Sequence, residues 1–251
     1  CRNIEAVGCR SEGKYPFWHN DGCVIRKCLF TEGARAALWY SRDLRMSDTR
    51  VEAPKMFREM DGVRLENVQI PNAQETLWHC RNVDLKNVRA DRAHYLFLHG
   101  ENIRIEDYVQ NRNYSFQYCR NVTIRDAEIH SKDAFWNSED VTVYDSVLDG
   151  EYLGWHSKRL KLVNCRISGT QPLCYAQDLV MENCTMDDDC DLAFEYSTLR
   201  ADIKGCVRSV KNPRSGSITA GGYGEIILDA HVKAPADCEI RVGGERNCFS
   251  A

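Results

Sequence analysis

The sequence lacks the features of several protein classes. No apolar run approaches the roughly 18 residues that a membrane-spanning helix needs, and no basic segment followed by an apolar one opens the chain. Basic residues are not in excess, because 33 Lys and Arg face 37 Asp and Glu and the formal net charge is −4. A general binder of nucleic-acid backbones carries a concentrated basic excess. We therefore expect a soluble protein with neither a membrane nor a nucleic-acid partner.

Zinc-like cysteine pairs are also absent. The 251 residues include 13 cysteines, an odd number, and none of them has C-x-x-C spacing. The cysteines instead recur at fixed positions of a repeat: Cys9, Cys28, Cys165 and Cys184 share one position, and Cys1, Cys80 and Cys119 share another. Recurrent placement of a small apolar side chain is typical of packing. We predict mostly free thiols in a cytoplasmic compartment, no metal site, and neighbouring thiols where members of the first set are one repeat apart.

An internal repeat of about 20 residues runs through most of the chain. The segment DAFWNSEDVTVYDSVLDG at 133–150 aligns with EYLGWHSKRLKLVNCRISG at 151–169, so that Trp136 lies over Trp155. The same column contains Trp18, Trp39, Arg58, Trp78, Leu98, Gln117, Trp136, Trp155, Cys174 and Glu195. CRNIEAVGC at 1–9 matches CRNVDLKNV at 80–88, so the sequence begins within a repeat and we expect further coils before it.

This period predicts a parallel β-helix in preference to a leucine-rich repeat, because the L-x-x-L-x-L frame and its helical segment are missing. Short alternating segments recur instead, such as VDLKNVRA and VTIRDAEI, and their alternate apolar residues face one core. A column of Asn and Asp follows these segments, and both residue types tolerate the left-handed backbone of a tight turn. It consists of Asp48, Asn67, Asn87, Asp107, Asp126, Asp145, Asn164 and Asn183.

The predicted fold is therefore all-β: a single-stranded, right-handed parallel β-helix of about eleven coils, with parallel connections favouring that hand. We expect the coils to occupy residues 1–205. Residues 206–251 are expected to form irregular strands of the same domain that close its C-terminal end.

Seven motifs occur in an order that resembles a known family. They are YPFWH at 15–19, ARAALWY at 34–40, YSFQY at 114–118, KDAFW at 132–136, GEYLGW at 150–155, GTQPLCY at 169–175 and SVKNPRSG at 209–216. Over nearly its whole length the chain resembles an uncharacterised, mainly bacterial family, domain of unknown function 3737. The resemblance implies a right-handed β-helix of the pectate-lyase-like type. It implies no catalytic residues, because the activity of that family is unassigned.

All five tryptophans fall in the column of Trp136 and Trp155. The preceding column, which includes Phe97 and Phe135, is almost wholly apolar and is the better candidate for the inward face. On a strand, neighbouring columns point to opposite faces, so we expect the tryptophans outward or at a corner, as a sugar-stacking platform or a partner surface. The alternative is that turns cover them or that the two faces are reversed. The candidate ligand-binding residues are Trp78, Tyr95, Tyr114, Trp136, Tyr152 and Trp155.

A polar band four residues before the tryptophan column carries the candidate catalytic groups. Lys132 and Glu151 fall on adjacent repeats, Asp133 follows Lys132, and His156 lies one position past the tryptophan column. An acid, a base and a cation in a small area fit general acid/base work on a glycan or uronate. A solvated ion-pair surface is the alternative. The sequence contains neither the carboxylate cluster of a calcium-dependent lyase nor the Gly-His-Gly segment of a polygalacturonase, and we expect no cofactor.

Three functions remain open. The first, which we favour, is a scaffold or binding β-helix that takes a glycan or small molecule on its aromatic face. The second is a carbohydrate-active enzyme of the lyase, hydrolase or epimerase type. The third is a purely structural or oligomerising rod. The β-helix raises the expectation of a carbohydrate ligand only by analogy.

Overall fold

The computed structural model describes residues 1–230 and 237–243. Residues 231–236 and 244–251 of the predicted C-terminal segment lie outside the described residues. Two compact units make up the chain, one of residues 1–129 and one of residues 130–251. In the described residues no helix is long and apolar enough to cross a membrane.

The first unit is built from strands that repeat once per coil. They are β1 Arg2–Val7, β2 Arg10–Ser11, β3 Asp21–Arg26, β4 Leu29–Phe30, β5 Arg42–Val51, β6 Asp61–Ile70, β7 Arg81–Ala90, β8 Glu101–Asn111 and β9 Arg120–His130, of which β9 ends one residue beyond the unit; a 3₁₀ turn, Glu32–Ala34, follows β4. The strands pair in parallel with the next coil, so that Val63 pairs with Val83 and Val83 with Ile103.

The second unit repeats the same arrangement. Its strands are β10 Glu139–Tyr144, β11 Val147–Asp149, β12 Lys161–Val163, β13 Arg166–Ser168, β14 Leu179–Met186, β15 Thr198–Lys211, β16 Ser215–Ile227 and β17 Asp237–Val242. Val143 pairs in parallel with Leu162, and Leu162 with Met181. The parallel pairings and the absence of α-helix from the described residues confirm the predicted all-β parallel β-helix.

The core consists of the apolar columns that the alternation predicted. Val83, Leu85, Ile105, Ile124, Val143 and Leu162 are all buried. The column before the tryptophans also faces inward as predicted: Phe97 and Phe116 are fully buried and stack at 4.6 Å within the first unit. Burying one such side chain contributes about 1.5–3 kcal/mol to the free energy of unfolding, and every coil that adds a buried side chain to these columns repeats that contribution.

The Asn and Asp column forms the predicted ladder, on the exposed surface. Asn67 and Asn87 have φ of 55° and 50°, and the Asn87 amide donates to the side-chain oxygen of Asn67 at 2.8 Å. In the second unit Asn164, with φ of 54°, donates to Asp145 at 2.8 Å. The side chains thus bond to one another from coil to coil while the backbone makes a turn that most residues disfavour.

The tryptophan column does not lie on a strand, and the prediction of a strand there was wrong. Tyr95, Phe97 and His99 have φ of 56°, 58° and 54°, and this alternation of left-handed residues recurs in the other coils. The Phe97 N–H bonds back to the carbonyl of Thr76, whereas the Tyr95 and His99 N–H groups bond forward to the carbonyls of Asn113 and Gln117. The left-handed backbone costs about 1–2 kcal/mol per residue. Bonding to both neighbouring coils offsets that cost. In the coil of Tyr95, Phe97 and His99 neither Gly nor Asn occupies a left-handed position, so the residue types there do not predict the turn.

Most cysteines are free, as the sequence predicted. Among the described residues eleven are free, and eight of these are buried: Cys23, Cys28, Cys80, Cys119, Cys165, Cys174, Cys184 and Cys190. Cys206 is disulfide-bonded. The expected neighbours are found, because the Cys9 N–H donates to Cys28 Sγ at 3.3 Å and the neighbouring Cys184 thiol raises the pKa of Cys165.

Candidate functional site

The four candidate catalytic residues lie on two adjacent coils of the second unit. The coils are joined by main-chain bonds from the Asp133 N–H to the Glu151 carbonyl and from the Gly154 N–H to the Ala134 carbonyl, both 2.8 Å. Asp133 and Tyr152 take the left-handed conformation, with φ of 55° and 59°. This backbone brings Lys132 and Glu151 to the same surface. We call Lys132, Asp133, Trp136, Glu151, Tyr152, Trp155 and His156 the aromatic and charged cluster.

An ion pair lies at one side of the cluster. Lys132 Nζ is 3.1 Å from Glu151 Oε2 and lies 4.9 Å from the centre of the Tyr152 ring. The hydrogen bond to Glu151 raises the pKa of Lys132. Lys132 therefore stays protonated at neutral pH and acts as a fixed positive charge. Because both partners are substantially exposed, the pair contributes little to stability.

Asp133 differs from its neighbours because it is mostly buried. Its residue exposure is 7%, and within the described residues no donor bonds to its carboxylate. Desolvation raises the pKa of Asp133, the charge of Glu151 adds to the shift, and Lys132 opposes it. A mostly buried carboxyl with a raised pKa, beside a second carboxylate, is the kind of group that acts as a general acid or base.

The aromatic side of the cluster is in direct contact with the charged side. Tyr152 and Trp155 meet edge to face at 4.9 Å, and Trp136 lies 5.5 Å from Trp155. The exposed His156 ring contacts Trp136 at 5.5 Å and stacks on Tyr175 at 4.9 Å. The structure thus brings together all seven residues that the sequence placed in this region.

The other three candidate ligand-binding residues lie in the first unit. Tyr95 is 42% exposed and stacks on Tyr114 at 4.8 Å. The Trp78 indole N–H donates to the Tyr95 carbonyl, and the Arg58 guanidinium lies 4.0 Å from the centre of the Trp78 ring. Trp78, Tyr95 and Tyr114 are therefore a separate aromatic group, and no carboxylate of the predicted cluster belongs to their unit.

The tryptophan column has a structural role that the sequence did not reveal. Trp39 Nε1 donates to the carbonyl of Lys55 at 2.7 Å, and Trp155 Nε1 donates to the carbonyl of Gln171 at 2.7 Å. Trp18 makes the same contact with Ala36. The residues whose carbonyls accept these bonds have a left-handed backbone. Each of them lies on the next coil, three residues before the residue of that coil that belongs to the tryptophan column. The indoles therefore satisfy main-chain carbonyls of the unusual turn, in addition to any contact with a ligand.

A column of His and Tyr one position past the tryptophans forms the more exposed ladder. In the first unit His79 stacks on His99 at 5.0 Å and His99 on Tyr118 at 4.9 Å; in the second unit Tyr175 stacks on His156 and contacts Tyr196 at 5.7 Å. Burial and the neighbouring His79 lower the pKa of His99. Of this column, only His156 was named as a candidate from the sequence. Aligning the position after each tryptophan would have revealed the rest.

Stacking decides what this His/Tyr ladder can offer a ligand. The planes of His99 and Tyr118 are 16° apart, and so are those of His156 and Tyr175. Because ring faces within a stack cover one another, mainly ring edges face solvent. Stacking with a sugar needs an open ring face. Tyr152 and Trp155 meet edge to face, so these two rings are not stacked on each other, and both residues are half-buried.

A further polar group in the second unit was not predicted. His130 Nδ1 is 2.9 Å from Asp149 Oδ2, and the Ser168 hydroxyl donates to Asp149 Oδ1 at 2.7 Å. The bonds from His130 and Ser168 lower the pKa of Asp149. Nucleophilic serine catalysis needs the hydroxyl to bond to the histidine. Here Ser168 bonds to the carboxylate instead, so the group does not have the order of a catalytic triad.

Comparisons with known proteins identify a family. The family model described as "Protein of unknown function (DUF3737)" matches residues 1–241. No match was found among curated proteins. Among solved structures the chain is similar to QnrB1, a plasmid-mediated fluoroquinolone resistance protein, with 12% identity and a TM-score of 0.22 over 73% of this chain and 91% of that one. In the described residues no group of three or more His, Cys, Asp or Glu side chains is placed to hold a metal ion.

Proposed function

We propose that the chain, which belongs to the DUF3737 family of unknown function, is a non-catalytic glycan-binding solenoid whose ligand occupies the aromatic and charged cluster. The observation that carries this proposal is the contact of Tyr152 with Trp155 at 4.9 Å beside the Lys132–Glu151 ion pair. A pyranose presents an apolar C–H face and polar hydroxyl edges. A site with ring surface next to fixed donors and acceptors matches both.

The cluster is organised before a ligand arrives. The indole bond to Gln171 fixes Trp155, and the ion pair with Glu151 fixes Lys132. Ordering these side chains on binding would otherwise cost about 0.5–1.5 kcal/mol each. The ammonium group supplies donors and the carboxylate supplies acceptors for sugar hydroxyls. Lys132 is a weak candidate for a base, because its pKa is raised.

A carbohydrate-active enzyme is the second candidate, and Asp133 is the observation that favours it. Its raised pKa and its place beside Glu151 fit a general acid that keeps its proton closer to neutral pH than an ordinary aspartate does. In that case Glu151 is the second carboxylate of the reaction. A purely structural role is the third candidate, supported by the carbonyl bonds of Trp39 and Trp155.

A glycan array followed by affinity measurement tests the proposed site. Trp155→Ala should abolish binding of any uncharged glycan that the wild type retains, because it removes the ring surface. Trp39→Ala is the matched control, since Trp39 makes the same 2.7 Å bond to a main-chain carbonyl but lies outside the cluster. Equal loss of binding in both variants would assign the effect to destabilised coils. Absence of any glycan ligand would leave the structural role as the better explanation.

The free cysteines support a cytoplasmic, reducing location for the protein. In the part of the chain that the structure describes, eleven thiols are free, and eight of them are buried. Burial raises the pKa of Cys80 and Cys119 to about 12, which keeps both in the less reactive thiol form. Thiol titration of the unfolded protein without reductant should recover at least eleven groups. Recovery of one to three would contradict a reducing compartment.

A further inference from the structure

The first unit contains a concave groove that is separate from the aromatic and charged cluster. Its volume is about 1230 Å³, and its lining residues fall between Asn3 and Thr123. The groove follows the outward side of β1, β3 and β5–β9, so it extends along successive coils. Coils stack about 4.8 Å apart, which gives a groove that spans seven coils a length near 30 Å. An extended chain fits such a groove better than a compact ligand.

Guanidinium groups point into this groove, and two of them are unpaired. Arg26 is paired with Glu5, and Arg64 lies 3.2 Å from Asp84. Arg45 and Arg104 are exposed and have neither an ion pair nor a hydrogen bond within the described part of the chain. They lie three coils apart, a separation of about 14 Å. Unpaired guanidinium groups are suited to bind carboxylates in a bidentate manner.

A row of amides forms one rim of the groove. Asn121 donates to the side chain of Asn102 at 2.7 Å, and Asn102 donates to that of Asn82 at 3.1 Å. All three residues are left-handed and line the groove. The bonds between them fix each amide, so that its remaining N–H and carbonyl positions are available in register along the coils. These positions match the alternating donors and acceptors of vicinal hydroxyl groups.

The composition of the lining selects among extended ligands. It contains four arginines, four carboxylates and three amides of the Asn82 row, and no aromatic side chain is among the lining residues. A single-stranded nucleic acid would need stacking rings and a basic excess. An extended peptide would need apolar pockets for its alternate side chains. Guanidinium, carboxylate and amide groups together can bond to the hydroxyl groups of a carbohydrate chain. The unpaired Arg45 and Arg104 favour a carbohydrate chain that also carries carboxylates.

We propose that this groove of the first unit binds an extended acidic carbohydrate chain, with Arg45 and Arg104 each holding a carboxylate of the chain. The amide row of Asn82, Asn102 and Asn121 binds hydroxyl groups between those two points. This site is independent of the aromatic and charged cluster, because every lining residue belongs to the first unit.

Isothermal titration calorimetry with alginate oligomers and with uncharged cello-oligosaccharides tests the proposal. The wild type should bind the alginate oligomers more tightly, with an affinity that falls as salt rises. Arg45→Gln and Arg104→Gln should each weaken that binding about tenfold, the loss expected when a charge-assisted hydrogen bond is removed. Arg92→Gln is the matched control, because Arg92 is an exposed cation of the same unit outside the groove. Its affinity should equal that of the wild type.

Three outcomes would overturn the proposal: no alginate binding, equal affinity for the uncharged oligomers, or an equal effect of Arg92→Gln. A single-stranded oligonucleotide that binds as tightly, with the same sensitivity to Arg104→Gln, would show a general polyanion site and would overturn carbohydrate selectivity. Far-UV circular dichroism and thermal melting check that the arginine variants fold. Trp155→Ala should leave alginate binding in the groove unchanged, which separates this site from the one in the second unit.

Discussion

Trp155 and Gln171 are joined by a hydrogen bond of 2.7 Å from the indole N–H to a main-chain carbonyl on the next coil. Gln171 has a φ of 50°, so the indole satisfies the carbonyl of a left-handed residue. Trp155→Phe removes the donor but keeps an aromatic ring next to Tyr152. We expect the free energy of unfolding to fall by about 1–2 kcal/mol, because a partly buried carbonyl loses its partner.

Urea denaturation measures this effect, and glycan affinity measured on the same variant separates structure from recognition. If Trp155 serves the ligand mainly through its ring, Trp155→Phe should retain most of the affinity that Trp155→Ala loses. An unchanged denaturation midpoint would show that the indole bond contributes nothing to the coil.

The Asn ladder predicts a second, position-specific loss of stability. Asn164 is exposed, donates to Asp145 and accepts a bond from Asn183. Asn164→Leu should lower the free energy of unfolding by about 1–3 kcal/mol, because it removes both bonds and places a γ-branched side chain in a left-handed turn.

Asn164→Gly is the control, since glycine accepts the left-handed backbone but cannot form the ladder. The free energy of unfolding should fall less in Asn164→Gly than in Asn164→Leu. The fall in Asn164→Gly should measure the contribution of the ladder bonds alone. Equal stability of the wild type and both variants in urea would show that neither the bonds nor the turn matters at this position.

The parts of the fold that follow the two-residue alternation could be predicted from the sequence. Val83 and Val143 alternate with polar residues, and Asn67 and Asn164 belong to a residue type that signals a left-handed turn. The parallel β-helix, its core columns and its Asn ladder follow from these patterns.

The tryptophan segment could not be predicted in the same way. Its left-handed positions hold residues such as Tyr95 and Phe97, which ordinarily disfavour that backbone, and the conformation depends on bonds to two neighbouring coils. The sequence placed Lys132 and Glu151 on adjacent coils correctly, yet it gave no sign that Asp133 is buried. The groove beside Arg45 and Arg104 was missed because single outward arginines on strands look like ordinary surface residues.

The pKa shifts of two carboxyl groups predict opposite pH dependences in the second unit. Burial raises the pKa of Asp133, so the folded state binds its proton more tightly than the unfolded state and ionised Asp133 destabilises the fold. Asp133→Asn should therefore raise the free energy of unfolding at pH 7, and the gain should shrink as pH falls through the raised pKa.

The contribution of Asp149 to stability depends on pH in the opposite direction, because hydrogen bonds from His130 and Ser168 lower the pKa of Asp149. Its contribution is present above the unfolded pKa of about 3.9 and is lost as pH falls through the folded value. Asp149→Asn should therefore lower stability at pH 7, and this loss should shrink as pH falls through the lowered pKa of the folded state. Urea midpoints of both variants between pH 3 and 7 check the signs, and a loss of stability in Asp133→Asn at pH 7 would contradict the buried, unpaired state of that carboxyl.

The last prediction separates a binding protein from an enzyme at the aromatic and charged cluster. Asp133→Asn and Glu151→Gln each remove a carboxylate while keeping the shape of the side chain. If the protein only binds a glycan, both variants should retain affinity better than Trp155→Ala does, and no product should form with any of them. If it is an enzyme, both should lose turnover by a factor of about 10²–10⁴, the usual contribution of a general acid or base, while the fold stays intact.

Chromatographic product analysis on each glycan that the array identifies, with circular dichroism as the check of folding, decides between the two. Turnover that survives both substitutions would exclude Asp133 and Glu151 as the reacting groups and would place any chemistry elsewhere on the solenoid.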